Sequence, residues 1–293
     1  MNPSAPRFRF ILSMFIFGTI GIFVRYIGLS SSLIAFVRAV VGVAFLAVVM
    51  LLGKQKPGWA AIRKNLVLLI VSGVMIGFNW ILLFEAYRYT TVATATLCYY
   101  FAPILVVLAS PFVTGDRLTG KKLFCVFLAL VGMVLISGVT ENGIPAAAEL
   151  LGIGLGLGAA ILYGSIVLVN RRITGIGAYD KTIMQLAAGA VVLLPYCLLT
   201  GAFHTGPIQA GPAALLLMVG AVHTGFAYFL YFGSMGELPS QTVAVFSYVD
   251  PVIAVILSAL LLHEPITVCG IIGAVLILGA ALLTELPERK GGH

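Results

Sequence analysis

Phe246-Ser247-Tyr248-Val249-Asp250-Pro251 lies in the middle of an apolar segment that is long enough to cross a lipid bilayer. A similar stretch, Cys98-Tyr99-Tyr100-Phe101-Ala102-Pro103, occurs 148 positions earlier in another such segment. Proline has no N–H, and its ring crowds the carbonyl four residues back. The carbonyls of Tyr99 and Ser247 should therefore lose their helical partners. Hydrocarbon tolerates such carbonyls only where protein or a water-filled cavity satisfies them. Two breaks at corresponding positions thus predict a binding site between two halves of the chain.

The composition is that of a membrane protein. The chain has 293 residues, of which 61% are hydrophobic and 9% are charged. Soluble domains carry about a quarter charged residues, so a soluble globular protein is excluded. The net charge of +7 belongs to the connections between apolar segments. That placement is typical of membrane topology, and nucleic acid is therefore not expected as a partner.

Ten apolar stretches follow one another, each near the length of about 20 residues that a spanning helix needs. They cover residues 8–28, 33–53, 66–87, 92–112, 121–139, 150–170, 181–200, 212–234, 241–262 and 266–284. The connections leave no room for a soluble domain. The sequence therefore predicts an all-α integral membrane protein of ten transmembrane helices, and the lack of a periplasm-sized domain favours a bacterial inner membrane.

Basic residues fall mainly on one side of this predicted topology. That side collects Arg7, Arg9, Lys54, Lys56, Arg63, Lys64, Arg117, Lys121, Lys122, Arg171, Arg172, Lys181, Arg289 and Lys290. The other side collects only Arg25 and Arg88. Because Lys and Arg are retained on the cytoplasmic side of a membrane, we expect both termini to be cytoplasmic.

The chain also carries an internal repeat. The matching pairs are Phe17-Gly18-Thr19 with Tyr163-Gly164-Ser165, Pro103 with Pro251, Asp116 with Glu264, and Thr119 with Thr267. Each half then holds five helices, and an odd number of crossings inverts the second half relative to the first. We expect two inverted five-helix repeats, residues 1–143 and 144–293, a pattern widespread among secondary transporters.

Glycines recur at the spacing that lets helices approach closely in lipid. Gly152, Gly154, Gly156 and Gly158 form two overlapping pairs on helix 6, and Gly73 and Gly77 form one on helix 3. We interpret all of these as packing positions. The alternative is that they serve as hinges during transport.

Motifs of the second half resemble the EamA repeat of the drug/metabolite transporter superfamily. They are Ser240-Gln241-Thr242, then Ser247-Tyr248-Val249-Asp250-Pro251-Val252, then Leu262-His263-Glu264-Pro265-Ile266-Thr267. That repeat typically reads Ser-Tyr-Leu-Glu-Pro-Val followed by Gly-Glu-Pro-Leu-Thr. The first half matches through Glu85-Ala86-Tyr87-Arg88-Tyr89-Thr90, Pro103 and Asp116-Arg117-Leu118-Thr119. The resemblance covers nearly the whole chain.

Within that superfamily the chain resembles the YddG-type exporters of aromatic amino acids. The features that carry this resemblance are the tyrosines before Pro103, Gly225-Phe226-Ala227-Tyr228 and Ser247-Tyr248. The resemblance implies a basket in which helices 1, 3, 4, 6, 8 and 9 surround a central path. It also implies that helices 5 and 10 are peripheral.

Residues at helical spacing around the two breaks are the candidates for substrate binding. They are Asn79, Leu83, Thr96, Tyr99, Tyr100, His223, Ala227, Tyr231, Ser247 and Tyr248, with Pro103 and Pro251 as the helix breaks. We expect the freed carbonyls to accept from a substrate ammonium while aromatic rings hold its side chain. The alternative is that each proline only bends its helix. Asn79 and His223 would then serve as hydrogen-bonding links between helices.

Three intramembrane ionisable residues raise further hypotheses, because such residues are functional candidates by default. Asp250 is a candidate proton-coupling group, in a relay with His223, or else a carboxyl bonded to backbone that Pro251 exposes. Arg38 and Glu85 lie near the same side of the membrane, and we expect them to form a structural ion pair. A role of these two residues in substrate binding is the alternative.

These features together predict a secondary transporter that exports aromatic amino acids, and other neutral amino acids by extension, from the cytoplasm by alternating access. Export of cationic drugs or another small metabolite is the alternative. An intramembrane enzyme using His223 and Asp250 is a more remote one. We expect no metal and no cofactor, since the four cysteines lie inside apolar segments without CxxC spacing. The expected partners are small-molecule substrate and membrane lipid, and the sequence sets no oligomeric state.

Overall fold

Helices are the regular elements of the described chain, which in the computed structural model comprises residues 4–113, 118–137, 139, 145–204, 206–235, 237–238 and 240–285. The helices are α1 Ser4–Ile27, α2 Ser31–Leu52, α3 Trp59–Tyr89, α4 Val92–Tyr99, α5 Ala102–Val113, α6 Gly120–Ile136, α7 Ala147–Arg172, α8 Ala178–Leu199, α9 Ala210–Met218, α10 Ala227–Met235, α11 Ser240–Ser247, α12 Val249–Leu261 and α13 Val268–Glu285. A π-helical segment, Val219–Phe226, joins α9 to α10. The motif residues Asp116 and Arg117, the basic residues Arg289 and Lys290 and the predicted boundary at residues 143 and 144 lie outside the described residues.

All ten predicted spans are helical in this part of the chain. Seven helical stretches are long and apolar enough to cross a membrane, and Val249–Leu261 and Val268–Thr284 are shorter apolar helices. One predicted boundary is wrong. Helix α3 begins at Trp59, so most of the connection expected around residues 54–65 is helical. Asn65 stabilises this added turn, because its Nδ2 donates to the carbonyl of Ala61 at 2.9 Å.

Both predicted helix breaks are present. Helix α4 ends at Tyr99 and α5 begins at Ala102, while α11 ends at Ser247 and α12 begins at Val249. At the first break the turn is closed by local bonds from Tyr100 N to Thr96 O and from Phe101 N to Cys98 O. Pro103 gives no N–H to the Tyr99 carbonyl, so the ladder cannot continue through it.

Glycine contacts across the two halves follow the repeat. A Cβ added to Gly18 of α1 would lie 2.5 Å from the carbonyl oxygen of Asp250, at the break of the second half. A Cβ added to Gly164 of α7 would lie 3.5 Å from the carbonyl oxygen of Ala102, at the break of the first half. Each half therefore presses one glycine-bearing helix against the broken helix of the other half.

The outermost helix pair is also built on glycine. A Cβ on Gly132 of α6 would lie 2.7 Å from the Gly273 carbonyl oxygen, and one on Gly273 of α13 would lie 2.6 Å from the Gly132 carbonyl oxygen. These two helices are predicted helices 5 and 10. They pack on each other away from the central cavity described below.

The glycines of α7 do not all act as the sequence suggested. A Cβ on Gly152 would lie 2.9 Å from Thr90, and one on Gly156 would lie 2.9 Å from Cys98 Cβ, so this pair packs against α4 and the turn before it. A Cβ on Gly154 would meet nothing within 4 Å. The expectation that both overlapping pairs are packing positions is thus wrong for Gly154, which lies on the opposite face of the same helix.

Two ion pairs mark opposite ends of the bundle. Arg25, at the end of α1, contacts Glu264 at 3.3 Å, and Arg9, near its start, contacts Glu237 at 3.1 Å. We name these the Glu264 end and the Arg9 end. At the Glu264 end the carboxylate also accepts from the backbone N–H of Val92 at 2.9 Å. The side chain of Glu264 therefore ties the second half to the start of α4 in the first half.

Candidate substrate cavity

A cavity of about 690 Å³ lies at the centre of the bundle, and residues of both helix breaks line it. Its wall includes Tyr99, Tyr100, Ala102 and Pro103 from the first break and Ser247, Tyr248 and Asp250 from the second. The breaks therefore face an interior space. This placement agrees with the rule that irregular backbone at membrane depth lines a cavity.

Tyrosine is the dominant side chain of the wall. The tyrosines that line it are Tyr87, Tyr99, Tyr100, Tyr163, Tyr228, Tyr231 and Tyr248. Their rings touch one another: the ring centroids of Tyr99 and Tyr163 are 5.1 Å apart, and those of Tyr100 and Tyr248 are 6.2 Å apart. Such rings offer flat apolar faces together with hydroxyl groups, and they suit a flat, amphipathic ligand.

One hydrogen bond joins the two breaks directly. The Tyr100 hydroxyl donates to Oδ2 of Asp250 at 2.6 Å. The proline breaks place the two partners opposite each other, because each lies within three residues of its proline. Asp250 is thus a carboxyl group in the cavity wall whose described partner is a neutral hydroxyl.

Arg38 is a charged group of the cavity wall for which the sequence predicted a partner in Glu85. Its Nε–H donates to Oγ1 of Thr224 at 2.6 Å, and its Cζ lies 4.0 Å from the centroid of the Trp80 ring. The predicted pairing of Arg38 with Glu85 is wrong. Glu85 accepts instead from the Ser31 hydroxyl and contacts Arg88. Arg38 reaches the next helices rather than the end of the bundle, because its long side chain stacks along the indole.

The candidates predicted from the sequence divide into two groups. Those that line the cavity are Asn79, Leu83, Thr96, Tyr99, Tyr100, Pro103, Tyr231, Ser247, Tyr248 and Asp250. His223, Ala227 and Pro251 are buried behind this wall. Whether the first group binds substrate stays a prediction.

Three of the predicted polar residues are engaged with neighbouring backbone or helices. Asn79 Nδ2 donates to the Ala159 carbonyl of α7 at 2.6 Å, and the Ser247 hydroxyl donates to the carbonyl of Val243 at 2.8 Å. His223 Nε2 lies 2.8 Å from the Thr19 hydroxyl of α1. Among the described residues no direct hydrogen bond joins His223 to Asp250, and the relay between them stays a prediction.

A π-helical segment sets the positions of His223 and Thr224. The segment Val219–Phe226 turns these consecutive residues toward different neighbours: His223 meets α1, and Thr224 meets Arg38 of α2. Such wide turns are frequent at functional sites. This segment could not be predicted from the sequence, because π-helical and α-helical turns share the same apolar composition.

The cavity is closed at one end and extends toward the other. Its lining includes Arg171 and Lys181. Lys181 follows Asp180, and the Asp180 carboxylate accepts from the N–H of Gly58, just before α3 begins. Helix α3 ends at the Glu264 end, so its start, and Lys181 with it, lies at the opposite end of the bundle. The lining thus reaches the Arg9 end, whereas Glu264, Arg25 and Arg88 are not part of it.

Two interlocked halves, paired helix breaks and a central cavity between them are the architecture of an integral membrane carrier. The family model of the EamA-like transporter family matches residues 8–138 and again residues 150–286. The chain belongs to this family, which is a family of transporters and not of enzymes.

The chain is similar to several curated proteins, two of which are named as transporters here. An uncharacterized transporter YxxF of Bacillus subtilis (strain 168) is 28% identical over 290 residues, covering 98% of this chain and 91% of the relative. The uncharacterized transporter YojE of the same organism is 27% identical, covering 78% and 75%. Protein RarD of Salmonella typhi is 27% identical, covering 67% and 64%.

A solved crystal structure has the same fold. It matches this chain with a TM-score of 0.66 at 18% identity and covers 95% of this chain and 96% of that chain. Membrane transport is therefore the activity of the class to which the fold, the cavity and the family assign this protein.

Proposed function

We propose that this protein exports aromatic amino acids from the cytoplasm by alternating access, as the YddG-type exporters that it resembles do. The observation that carries the proposal is the tyrosine-lined cavity between the two helix breaks. An aromatic side chain stacked on such rings gains about 0.5–1.5 kcal/mol beyond its area burial. The backbone freed by Pro103 and Pro251 supports the proposal as a source of polar contacts for an ammonium group. Other neutral amino acids would be weaker substrates.

The charge distribution supports the proposed direction of transport. Most basic connections lie at the Arg9 end, and basic connections are cytoplasmic in inner-membrane proteins. Because the cavity extends toward the Arg9 end, the described conformation would admit substrate from the cytoplasm. The contacts of Glu264 would keep the outer end closed.

Organic cations, the second class predicted from the sequence, are disfavoured by one feature of the wall. The guanidinium of Arg38 would repel a cation in the same low-dielectric space. A cation would have Asp250 as its acidic partner, but the cavity offers no excess of negative charge to offset Arg38. The proposal therefore keeps amino acids and sets cationic drugs aside.

The test is counterflow in liposomes. Purified protein is reconstituted with unlabelled phenylalanine inside, and uptake of radiolabelled phenylalanine, tryptophan, threonine and the cation tetraphenylphosphonium is followed outside. We expect rapid phenylalanine and tryptophan exchange, slower threonine exchange, and no exchange of the cation. Protein-free liposomes are the control. Exchange of the cation without exchange of any amino acid would overturn the proposal.

A further inference from the structure

We propose that Arg38 is the group that binds the substrate carboxylate, and that a carboxylate is therefore obligatory in anything this protein transports. This inference rests on the proposed function, since it names how the cavity recognises an amino acid. It adds a specificity residue that lies on α2, outside both proline breaks.

The Arg38 guanidinium is held in place by its neighbours, but most of its N–H donors have no described hydrogen-bond partner. The Arg38 side chain is 95% buried, its relative exposure being 5%, yet it lines the cavity. A guanidinium has five N–H donors. Within the described residues, Nε–H has a partner in Thr224, while the terminal nitrogens have none. The Trp80 and Phe84 ring centroids lie 4.0 and 5.7 Å from Cζ and hold the group against the cavity wall. The fork of terminal N–H groups is thus presented to the cavity.

Among the described residues, no carboxylate forms an ion pair with Arg38. Arginine stays protonated in proteins, and a buried charge is costly unless it is paired. The two nearby carboxylates have other described partners. Glu85 forms an ion pair with Arg88, and Asp250 accepts a hydrogen bond from Tyr100. A planar two-donor fork matches a carboxylate, which it binds through two parallel hydrogen bonds. A substrate carboxylate is the partner that the cavity wall itself does not supply.

The second half indicates that packing does not require a cation at this position. Arg38 and Gly42 of α2 recur as Gln185 and Gly189 of α8, at the same four-residue spacing and 147 positions later. Gln185 also lines the cavity, but its amide is satisfied by Ser72 at 2.5 Å and Asn170 at 2.7 Å. A neutral residue therefore fills the equivalent place in one half. The charge of Arg38 is a feature of the cavity and not of the fold.

The inference is tested with phenylalanine analogues that differ by one group. Trp59→Phe leaves Trp80 as the only tryptophan, so excitation at the red edge of indole absorption reports ligands next to Arg38. The probes are phenylalanine, 3-phenylpropionate, which lacks the ammonium, and phenylalaninamide and 3-phenylpropionamide, which lack the carboxylate. In this background we expect the two carboxylates to change Trp80 fluorescence saturably and the two amides to bind at least about 10-fold more weakly.

The variants are Arg38→Gln, which installs the residue of the other half, and Arg38→Lys, which keeps the charge without the fork. We expect Arg38→Gln to weaken the binding of both carboxylates about 10- to 100-fold and to leave the binding of the amides unchanged. Arg38→Lys should recover part of the lost affinity. Arg63→Gln, on the exposed surface of α3, is the control for the same loss of charge. A single symmetric peak in size-exclusion chromatography establishes that each variant is folded.

The outcomes separate this inference from the proposed function. Equal binding of acids and amides by the Trp59→Phe protein, or unchanged carboxylate affinity in Arg38→Gln, would overturn the role of Arg38 even if phenylalanine exchange occurs. Carboxylate-selective binding that Arg38→Gln abolishes would support the role of Arg38. It would do so even if phenylalanine counterflow fails and the proposed function falls.

Discussion

At the scale of single residues, the hydrogen bond from Tyr100 to Asp250 connects the two proline breaks directly. Tyr99, Tyr100 and Ser247 could be predicted as wall residues, because a proline acts at fixed offsets along its own helix. Arg38 could not, since no local pattern tells which of several neighbouring helices a long side chain will reach. Glu85 was the predicted ion-pair partner on charge alone, but the Arg38 side chain packs on Trp80 instead.

Asp250→Asn tests the predicted proton coupling at this scale. Asparagine keeps an oxygen that can accept from the Tyr100 hydroxyl, but it cannot take up or release a proton. We expect phenylalanine counterflow, which moves no net proton, to stay within about threefold of the wild type. Transport driven by an imposed proton gradient should fall about 10-fold or more, in line with the usual contribution of a positioned proton-transfer group.

Tyr99→Phe is the matched control for that experiment, because it also removes a polar group from the cavity wall but leaves Asp250 and its described partner intact. Gradient-driven transport by Asp250→Asn with its full pH dependence would contradict proton coupling at this residue. The carboxyl would then have only a structural or substrate-binding role.

The broken helices and their glycine-bearing neighbours position the cavity at the scale of elements. The spans and both breaks were predictable, since apolar length and proline position are properties of the sequence alone. The packed and unpacked faces of α7 could not be predicted in this way. Glycines four apart occur on both of its sides, and only the packed structure tells that Gly152 and Gly156 face α4 while Gly154 meets nothing.

Gly156→Ala and Gly154→Ala therefore make a matched pair on one helix. A Cβ at position 156 would lie 2.9 Å from Cys98 Cβ and 3.2 Å from the Ala95 carbonyl oxygen. Overpacking of this kind lowers stability by about 1–3 kcal/mol. We expect Gly156→Ala to unfold at a lower temperature than the wild type in detergent, and Gly154→Ala to be at least as stable as the wild type. Equal melting temperatures for the two variants would refute the assignment of faces.

The whole molecule is organised as two inverted halves that each hold the other's broken helix. The halves were predictable because an odd number of spans must invert the repeat. The boundary at residues 143 and 144 remains a prediction. The closure at the Glu264 end could not be predicted from the sequence, although His263-Glu264-Pro265 is part of the repeat motif. Its carboxylate reaches Val92, 172 positions away along the chain, and only the packed fold brings the two together.

Alternating access through this cavity is the central claim, and chemical modification at Ser247 tests it most directly. Ser247 belongs to the second break and lines the cavity. In a Cys269→Ser background the remaining cysteines are buried. We expect Ser247→Cys to react with a small methanethiosulfonate reagent, and phenylalanine to protect it. Modification should abolish phenylalanine counterflow, whereas the same treatment of Val275→Cys, on the exposed face of α13, should leave counterflow intact. Unchanged counterflow after complete modification of Ser247→Cys would contradict the claim.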